Sequence, residues 1–234
     1  APQEMKLLLA STSTVHGAPY LSYLREQWAA HFAGRLVVFV PYARPGGMTW
    51  DDYTARPKSV MAEAGITVKG VHEFASVAEA AEAAEGWFVG GGNTFVLRRS
   101  LRETGLESLL DASVRSGTPY MGSSAGINIA GLSIGTTNDM PVVEVPTLQA
   151  MGWLPFNLNP HYLDTPEGST HMGETREQRI TEFHAFNPQP VVGLREGSWI
   201  TSNGTAHLLN GPHSAWIFRA GQPATECNPG PLRV

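Results

Sequence analysis

Over the first two-thirds of the chain, short apolar runs take turns with longer stretches in which apolar positions recur at helical spacing. KLLLAS (residues 6–11), RLVVFVPYA (35–43), ITVKGVHEF (66–74) and WFVGGG (87–92) read as strands. The β-branched run at 35–43 has the continuous apolar character of a strand buried on both faces. Between them, YLSYLREQWAAHFAG (20–34) has helical spacing closed by Gly34. Residues 51–64 form a second candidate helix with Thr49 as N-cap, and ASVAEAAEAAEG (75–86) and TFVLRRSLRET (94–104) are two more. A further helix precedes the strand that opens at Tyr120. Strands alternating with helices predict an α/β fold, a mainly parallel sheet flanked by helices on both sides. The last third changes character: VVGLREGSWITSNGTAHLLNG (191–211) and SAWIFRAG (214–221) hold short strands separated by turns. Asn203-Gly204 marks a hairpin there, because both residues tolerate positive φ. The expectation is one domain over residues 1–234 with a β-rich C-terminal part.

Composition narrows the function classes. The 234 residues carry a formal charge of −5, which opposes a nucleic-acid-binding role built on phosphate neutralisation. No apolar run approaches the roughly 18 residues of a membrane span. A single cysteine, Cys227, forms no internal disulfide and fits a reducing compartment, so a cytoplasmic location is expected. Met5, followed by Lys6 and three leucines, reads as a natural start, with residues 1–4 an addition ahead of it or, alternatively, a remnant of signal cleavage.

Candidate chemistry centres on YMGSSAGINIAG (residues 120–131). Gly122, Ser123, Ser124, Ala125 and Gly126 satisfy Gly-x-Ser-x-Gly at a strand-to-helix corner, the setting of an exposed nucleophile; a tight turn of small residues is the plain alternative. A second turn, GGGNTF (90–95), follows the apolar WFV and leaves backbone N–H groups unshielded for an anionic oxygen. It lacks the third glycine of a dinucleotide loop, where Phe95 stands, and the Gly-Lys-Ser/Thr ending of a phosphate loop. An oxyanion hole beside a serine nucleophile uses both turns.

The serine needs a base, and eight histidines are available: His16, His31, His72, His161, His171, His184, His207 and His213. His31 and His207 lie within regular elements. His161 follows Pro160 at the end of an apolar run, where an imidazole can stand at the mouth of the sheet, although a loop histidine is ordinarily only solvated. There is no His-Glu-x-x-His, and one cysteine makes no thiolate site. WDDY reads as a helix start whose carboxylates complement the dipole. In GETREQRI (173–180), Arg176 either belongs to a salt-bridged helix face or offers a planar fork to a carboxylate.

Together these motifs carry a resemblance over nearly the whole chain. WDDYT, VGGGNTF, GSSAG, TTNDMP, NPHY, MGETREQRI, GLREGSW and WIF, in that order and spacing, resemble the peptidase E (aspartyl dipeptidase) family, serine peptidases distantly similar to class I glutamine amidotransferases. Those relatives carry cysteine at the elbow where this chain has Ser124. The resemblance implies Ser124 as nucleophile, His161 as general base and Glu196 as the group that orients it. It implies an oxyanion hole from Gly92 and the Ala125 N–H. Arg176 would bind the aspartate side chain of the substrate, a dipeptide with free N-terminal aspartate, and Asp139 is a further important residue, free to meet the ammonium group. It implies no metal or organic cofactor and suggests a homodimer. One departure stands out: Ser123 replaces a tryptophan familiar in the family, which predicts a more open pocket beside Ser124. Two other functions compete: a cyanophycinase-like serine hydrolase acting on an aspartate-rich polymer, and a flavodoxin-like binding module whose serine turn holds an anion.

Overall fold

The computed structural model describes residues 4–168, 170 and 173–234. His171 and residues 1–3 lie outside the described residues. The elements run β1 (Leu7–Ala10), α1 (Arg25–Phe32), β2 (Leu36–Val40), α2 (Trp50–Ala62), β3 (Thr67–Gly70), α3 (Val77–Ala83), β4 (Gly86–Val89), α4 (Thr94–Glu103), α5 (Leu106–Arg115) and β5 (Tyr120–Ser123). They continue with α6 (Ala125–Asn128), β6 (Asn157–Pro160), α7 (Arg176–His184), β7 (Val191–Leu194), β8 (Trp199–Ser202), β9 (His207–Asn210), β10 (Ala215–Phe218), β11 (Thr225–Cys227) and β12 (Gly230–Pro231).

Two sheets result. The larger has strand order β12-β9-β8-β1-β5-β4-β2-β3, with β1, β5, β4, β2 and β3 parallel to their neighbours in that run and β8, β9 and β12 added antiparallel. The smaller, β11-β10-β7-β6, pairs β6 with β7 in parallel and the rest antiparallel. The mainly parallel α/β architecture matches the sequence pattern, and Asn203-Gly204 does join the antiparallel pair β8–β9.

The parallel strands are buried on both faces, as their unbroken apolar runs require. Leu8, Phe39, Phe88 and Met121 pack on one side with Trp28 and Phe32 of α1. Leu7, Leu9, Val38, Val40, Trp87 and Val89 pack on the other with residues of α4 and α5. That second cluster extends without a break to Val192, Leu194 and Ile217 of the smaller sheet. Adjacent residues of one strand thus feed different clusters, the two-residue period of extended chain.

Among the boundaries that differ from the sequence pattern, two show how the chain turns. The third strand ends at Gly70, not Phe74, because the Glu73 carboxylate accepts from the Gly70 N–H at 2.6 Å and closes residues Val71–Glu73 into a 3-10 turn. The helix expected from residue 20 starts with a 3-10 turn at Ser22–Leu24, and Thr49 caps α2 through the Asp52 N–H as expected.

His31, on α1, places Nε2 2.9 Å from the Tyr120 carbonyl, so the neutral ring donates there. Burial lowers its pKa to about 4. A base with a depressed folded-state pKa contributes stability above its unfolded value near 6.5 that is lost as pH falls toward 4. The melting temperature of the wild type is therefore expected to drop across this window more steeply than that of His31→Gln. The effect is of order 3 kcal/mol, each tenfold change in proton affinity being worth about 1.4 kcal/mol. Parallel pH–melting curves for the two proteins contradict this assignment.

Candidate active site

Strand β5 delivers Ser124 at a sharp corner with φ 54° and ψ −112°, a backbone conformation that L residues rarely adopt. The turn closes because its neighbours have no side chains. A Cβ on Gly122 would lie 2.5 Å from the Gly126 carbonyl oxygen, and one on Gly126 would collide with the Val89 carbonyl. Ser124 N–H donates to Ala10 O at 3.2 Å, anchoring the corner to β1.

His161, directly after β6, also has positive φ (56°). Its Nε2 lies 2.6 Å from Ser124 Oγ, and its Nδ1 lies 2.7 Å from Glu196 Oε1. A carboxylate only accepts, so Nδ1 carries the proton and Nε2 is left to accept from the serine hydroxyl. The Glu196 side chain is 48% exposed, so solvent screens much of its charge; its hydrogen bond chiefly sets the tautomer and angle of the ring. The neighbouring Arg195 does not compete for Glu196, because it forms a two-pronged pair with Asp164 at 2.7 and 2.9 Å. Ser124, His161 and Glu196 come from the larger sheet, the smaller sheet and the loop after β7, and meet at the carboxyl ends of their strands.

The glycine turn faces this trio. A Cβ on Gly91 would stand 2.9 Å from Ser124 Cβ, and one on Gly92, whose φ is 140°, would stand 2.5 Å from the Ala43 carbonyl oxygen. Gly91, which the sequence did not single out, is thus the glycine lying against the serine. The N–H groups of Gly91, Gly92 and Ala125 have no acceptor among the described residues, which leaves them for an oxyanion. Tyr53 of the WDDYT motif donates its hydroxyl proton to the Gly91 carbonyl at 2.9 Å and pins the turn.

Asp139 does not sit with both oxygens free. Its Oδ2 accepts from the Thr94 N–H (2.8 Å) and Thr94 hydroxyl (2.6 Å), and Thr137 Oγ1 lies 3.1 Å away. With Asn93, whose Oδ1 accepts from Phe95 and Val96 N–H, it caps α4 immediately after the glycine turn. Asn128 of α6 donates to Thr94 Oγ1 at 2.9 Å, so this polar network joins the glycine turn to the helix behind Ser124. Only Oδ1 of Asp139 remains without a hydrogen-bond partner among the described residues.

Arg176 opens α7 behind the N-cap Thr175. Its Nε is buried without a partner among the described residues, and burial together with Arg179 lowers its pKa. A cavity of about 330 Å³ lies beside it, lined by Leu163, Asp164, Thr165, Pro166, Glu174, Thr175 and Arg176. The salt-bridged helix face expected as the alternative applies to Arg179, 4.0 Å from Glu174, and not to Arg176.

Ser123 lies inside the fold, beside the nucleophile. It is fully buried, in register with Ala10, and its hydroxyl has no partner among the described residues. Of the other described histidines, His31 and His207 bond within the fold, His72 pairs with Asp51, and His184 meets the Gln189 carbonyl. Among the described residues no group of three His, Cys, Asp or Glu is placed to hold a metal ion.

Comparison with known proteins gives concordant matches. The family described as Peptidase family S51 matches residues 7–209. Peptidase E of Streptomyces coelicolor is 48% identical over 223 residues, covering 95% of this chain and 90% of its own. A Drosophila melanogaster protein described as "Probable alpha-aspartyl dipeptidase" is 44% identical, covering 95% and 93%. The crystal structure of a peptidase from an acI-B1 Actinobacterium shares the fold at 16% identity, with a TM-score of 0.70 over 97% of this chain and 95% of that one.

Proposed function

The chain belongs to peptidase family S51, and on that footing we propose that it is a serine-type dipeptidase hydrolysing dipeptides with a free N-terminal aspartate through an acyl-enzyme on Ser124. The observation that carries the mechanism is the 2.6 Å contact between Ser124 Oγ and His161 Nε2, continued to Glu196. His161 Nε2 takes the hydroxyl proton as Oγ attacks the peptide carbonyl. The N–H groups at Gly92 and Ala125, with Gly91 alongside, hold the oxyanion, where one donor is worth about 10²–10³ in rate. As the tetrahedral intermediate collapses the C–N bond breaks, and the imidazolium returns the proton to the departing amine. Water, deprotonated by the same nitrogen, then releases aspartate.

Arg176 supports the aspartate preference: a partly buried guanidinium without a carboxylate partner among the described residues fits the β-carboxylate of the substrate. The Drosophila relative is named for α-aspartyl dipeptides, which favours this substrate over an aspartate-rich polymer. Turnover of Asp-Leu with no release from the polymer is the expected result; the reverse preference reinstates the cyanophycinase-like reading. A homodimer and a cytoplasmic location remain part of this reading, the latter supported by the free thiol of Cys227. No helix among the described residues is long and apolar enough to cross a membrane.

The two carboxylates have separable signatures. Glu196→Gln keeps the shape but not the acceptor pair that fixes the tautomer, so it is expected to lower kcat by orders of magnitude at saturating Asp-Leu. Asp139→Asn chiefly weakens the grip of Oδ1 on the ammonium group, raising KM, with a smaller kcat loss from the disturbed cap of α4. Steady-state kinetics on both variants check the assignment. Near-normal kcat in Glu196→Gln alongside a collapse of kcat in Asp139→Asn would reverse the two roles.

A further inference from the structure

Four hydrogen bonds converge on the end of β1. Ser124 N–H donates to Ala10 O at 3.2 Å, and Ser11 N–H donates to Ser198 O, two residues past Glu196, at 3.2 Å. The Ser11 hydroxyl donates to Leu194 O at 2.8 Å, and His161 N–H donates to Ser11 Oγ at 2.8 Å. Ser11 is fully buried. β1 and β5 belong to the larger sheet, whereas His161 and Leu194 stand at the ends of strands in the smaller one. The Ala10–Ser11 corner therefore touches the backbone beside each member of the trio, and the hydroxyl of Ser11 crosses between the sheets.

Resting on the catalytic reading above, we propose that Ser11 is a positioning residue of the triad. By accepting from His161 N–H while donating to Leu194 O, its hydroxyl holds His161 at φ 56° and sets the distance from its ring to Ser124. A non-glycine residue at positive φ persists only where its surroundings over-determine it. Tyr162 N–H, bonded to Leu194 O at 3.1 Å, fixes the residue after His161 but not His161 itself. Without the Ser11 oxygen, His161 N–H loses its acceptor, the backbone relaxes toward extended φ, and the imidazole swings off the serine. Displacements of about 1 Å in a reacting pair cost on the order of 10²-fold in rate.

A hydroxyl that only stabilises the fold would lower the melting temperature and leave turnover per folded molecule intact. The test measures kcat and KM for Asp-Leu well below the melting transition, together with the rate of reaction with a fluorophosphonate, in wild type, Ser11→Ala and Ser11→Cys. Thr54→Val calibrates the loss of a buried hydroxyl elsewhere: Thr54 is 1% exposed and bonds Trp50 O within α2. Ser11→Ala is expected to lose about 10–100-fold in kcat with KM within about threefold, and to react with the fluorophosphonate slower in the same proportion. Ser11→Cys, whose thiol is a weak donor and acceptor, should fall between, and Thr54→Val should melt lower with unchanged kcat. Wild-type kcat in Ser11→Ala overturns the proposal; if that variant does not fold, wild-type kcat in Ser11→Cys overturns it. A wild-type protein inert to both Asp-Leu and the reagent overturns the catalytic reading and this proposal together, whereas an active wild type with unaffected Ser11 variants overturns this proposal alone.

Discussion

Ser124→Ala is expected to lower kcat on Asp-Leu by about 10⁴-fold or more, because the only atom it removes is the one that forms the acyl bond. Ser123→Ala, one residue earlier, is expected to keep near wild-type kcat, since the Ser123 hydroxyl is fully buried and bonds nothing among the described residues. The strained corner adds a second readout. Position 124 has φ 54° and ψ −112°, which glycine adopts without penalty. Ser124→Gly should be as inactive as Ser124→Ala yet melt higher than it, by a few degrees if about 1 kcal/mol of strain is relieved in a protein of this size. Comparable kcat in Ser124→Ala and wild type removes the nucleophile from its role. Equal melting of the Ala and Gly variants argues against strain at this corner while leaving the chemistry untouched.

Asp-Leu is expected to be cleaved far faster than Asn-Leu, and the difference should vanish when Arg176 is replaced. Asparagine is nearly the same shape as aspartate, so the comparison isolates charge. Leaving a desolvated guanidinium without its ionic partner costs about 2–5 kcal/mol, or roughly 30- to 5,000-fold in kcat/KM. The lower end is expected here, because Arg176 is only partly buried. Arg176→Lys should recover little of the loss, since an ammonium cannot reproduce two parallel N–H···O bonds. Equal kcat/KM for the two dipeptides in the wild type would detach Arg176 from substrate selection.

The parallel core was legible because its strands are buried on both faces and so carry unbroken apolar runs such as LVVFV, while Thr49 announced α2 as its cap. The partition of the last third into two sheets was not legible. β8 joins the larger sheet through Ala10↔Trp199 and β7 joins the smaller through Asn157↔Val191, pairings that no four-residue run encodes locally. In the site, Ser124 was marked by its glycines and His161 by its place after Pro160. Their 2.6 Å approach depends on two sheets meeting, and the choice of Glu196 over Asp139 came from family resemblance. The capping of α4 by Asp139 spans 45 residues of sequence and left no local trace. Ser11 did leave one: a hydroxyl at the carboxyl end of the first parallel strand, the edge where α/β sheets place their ligands.

The central claim, that Ser124 is an activated nucleophile serving Asp-Xaa hydrolysis, is tested most directly by mapping a fluorophosphonate adduct while following activity. The predicted result is one phosphonyl group per chain, located by peptide mass on Ser124, with Asp-Leu hydrolysis lost in proportion to modification and the labelling slowed by excess Asp-Leu. Undiminished hydrolysis after stoichiometric labelling of Ser124, or an active protein that takes up no label there, would contradict it.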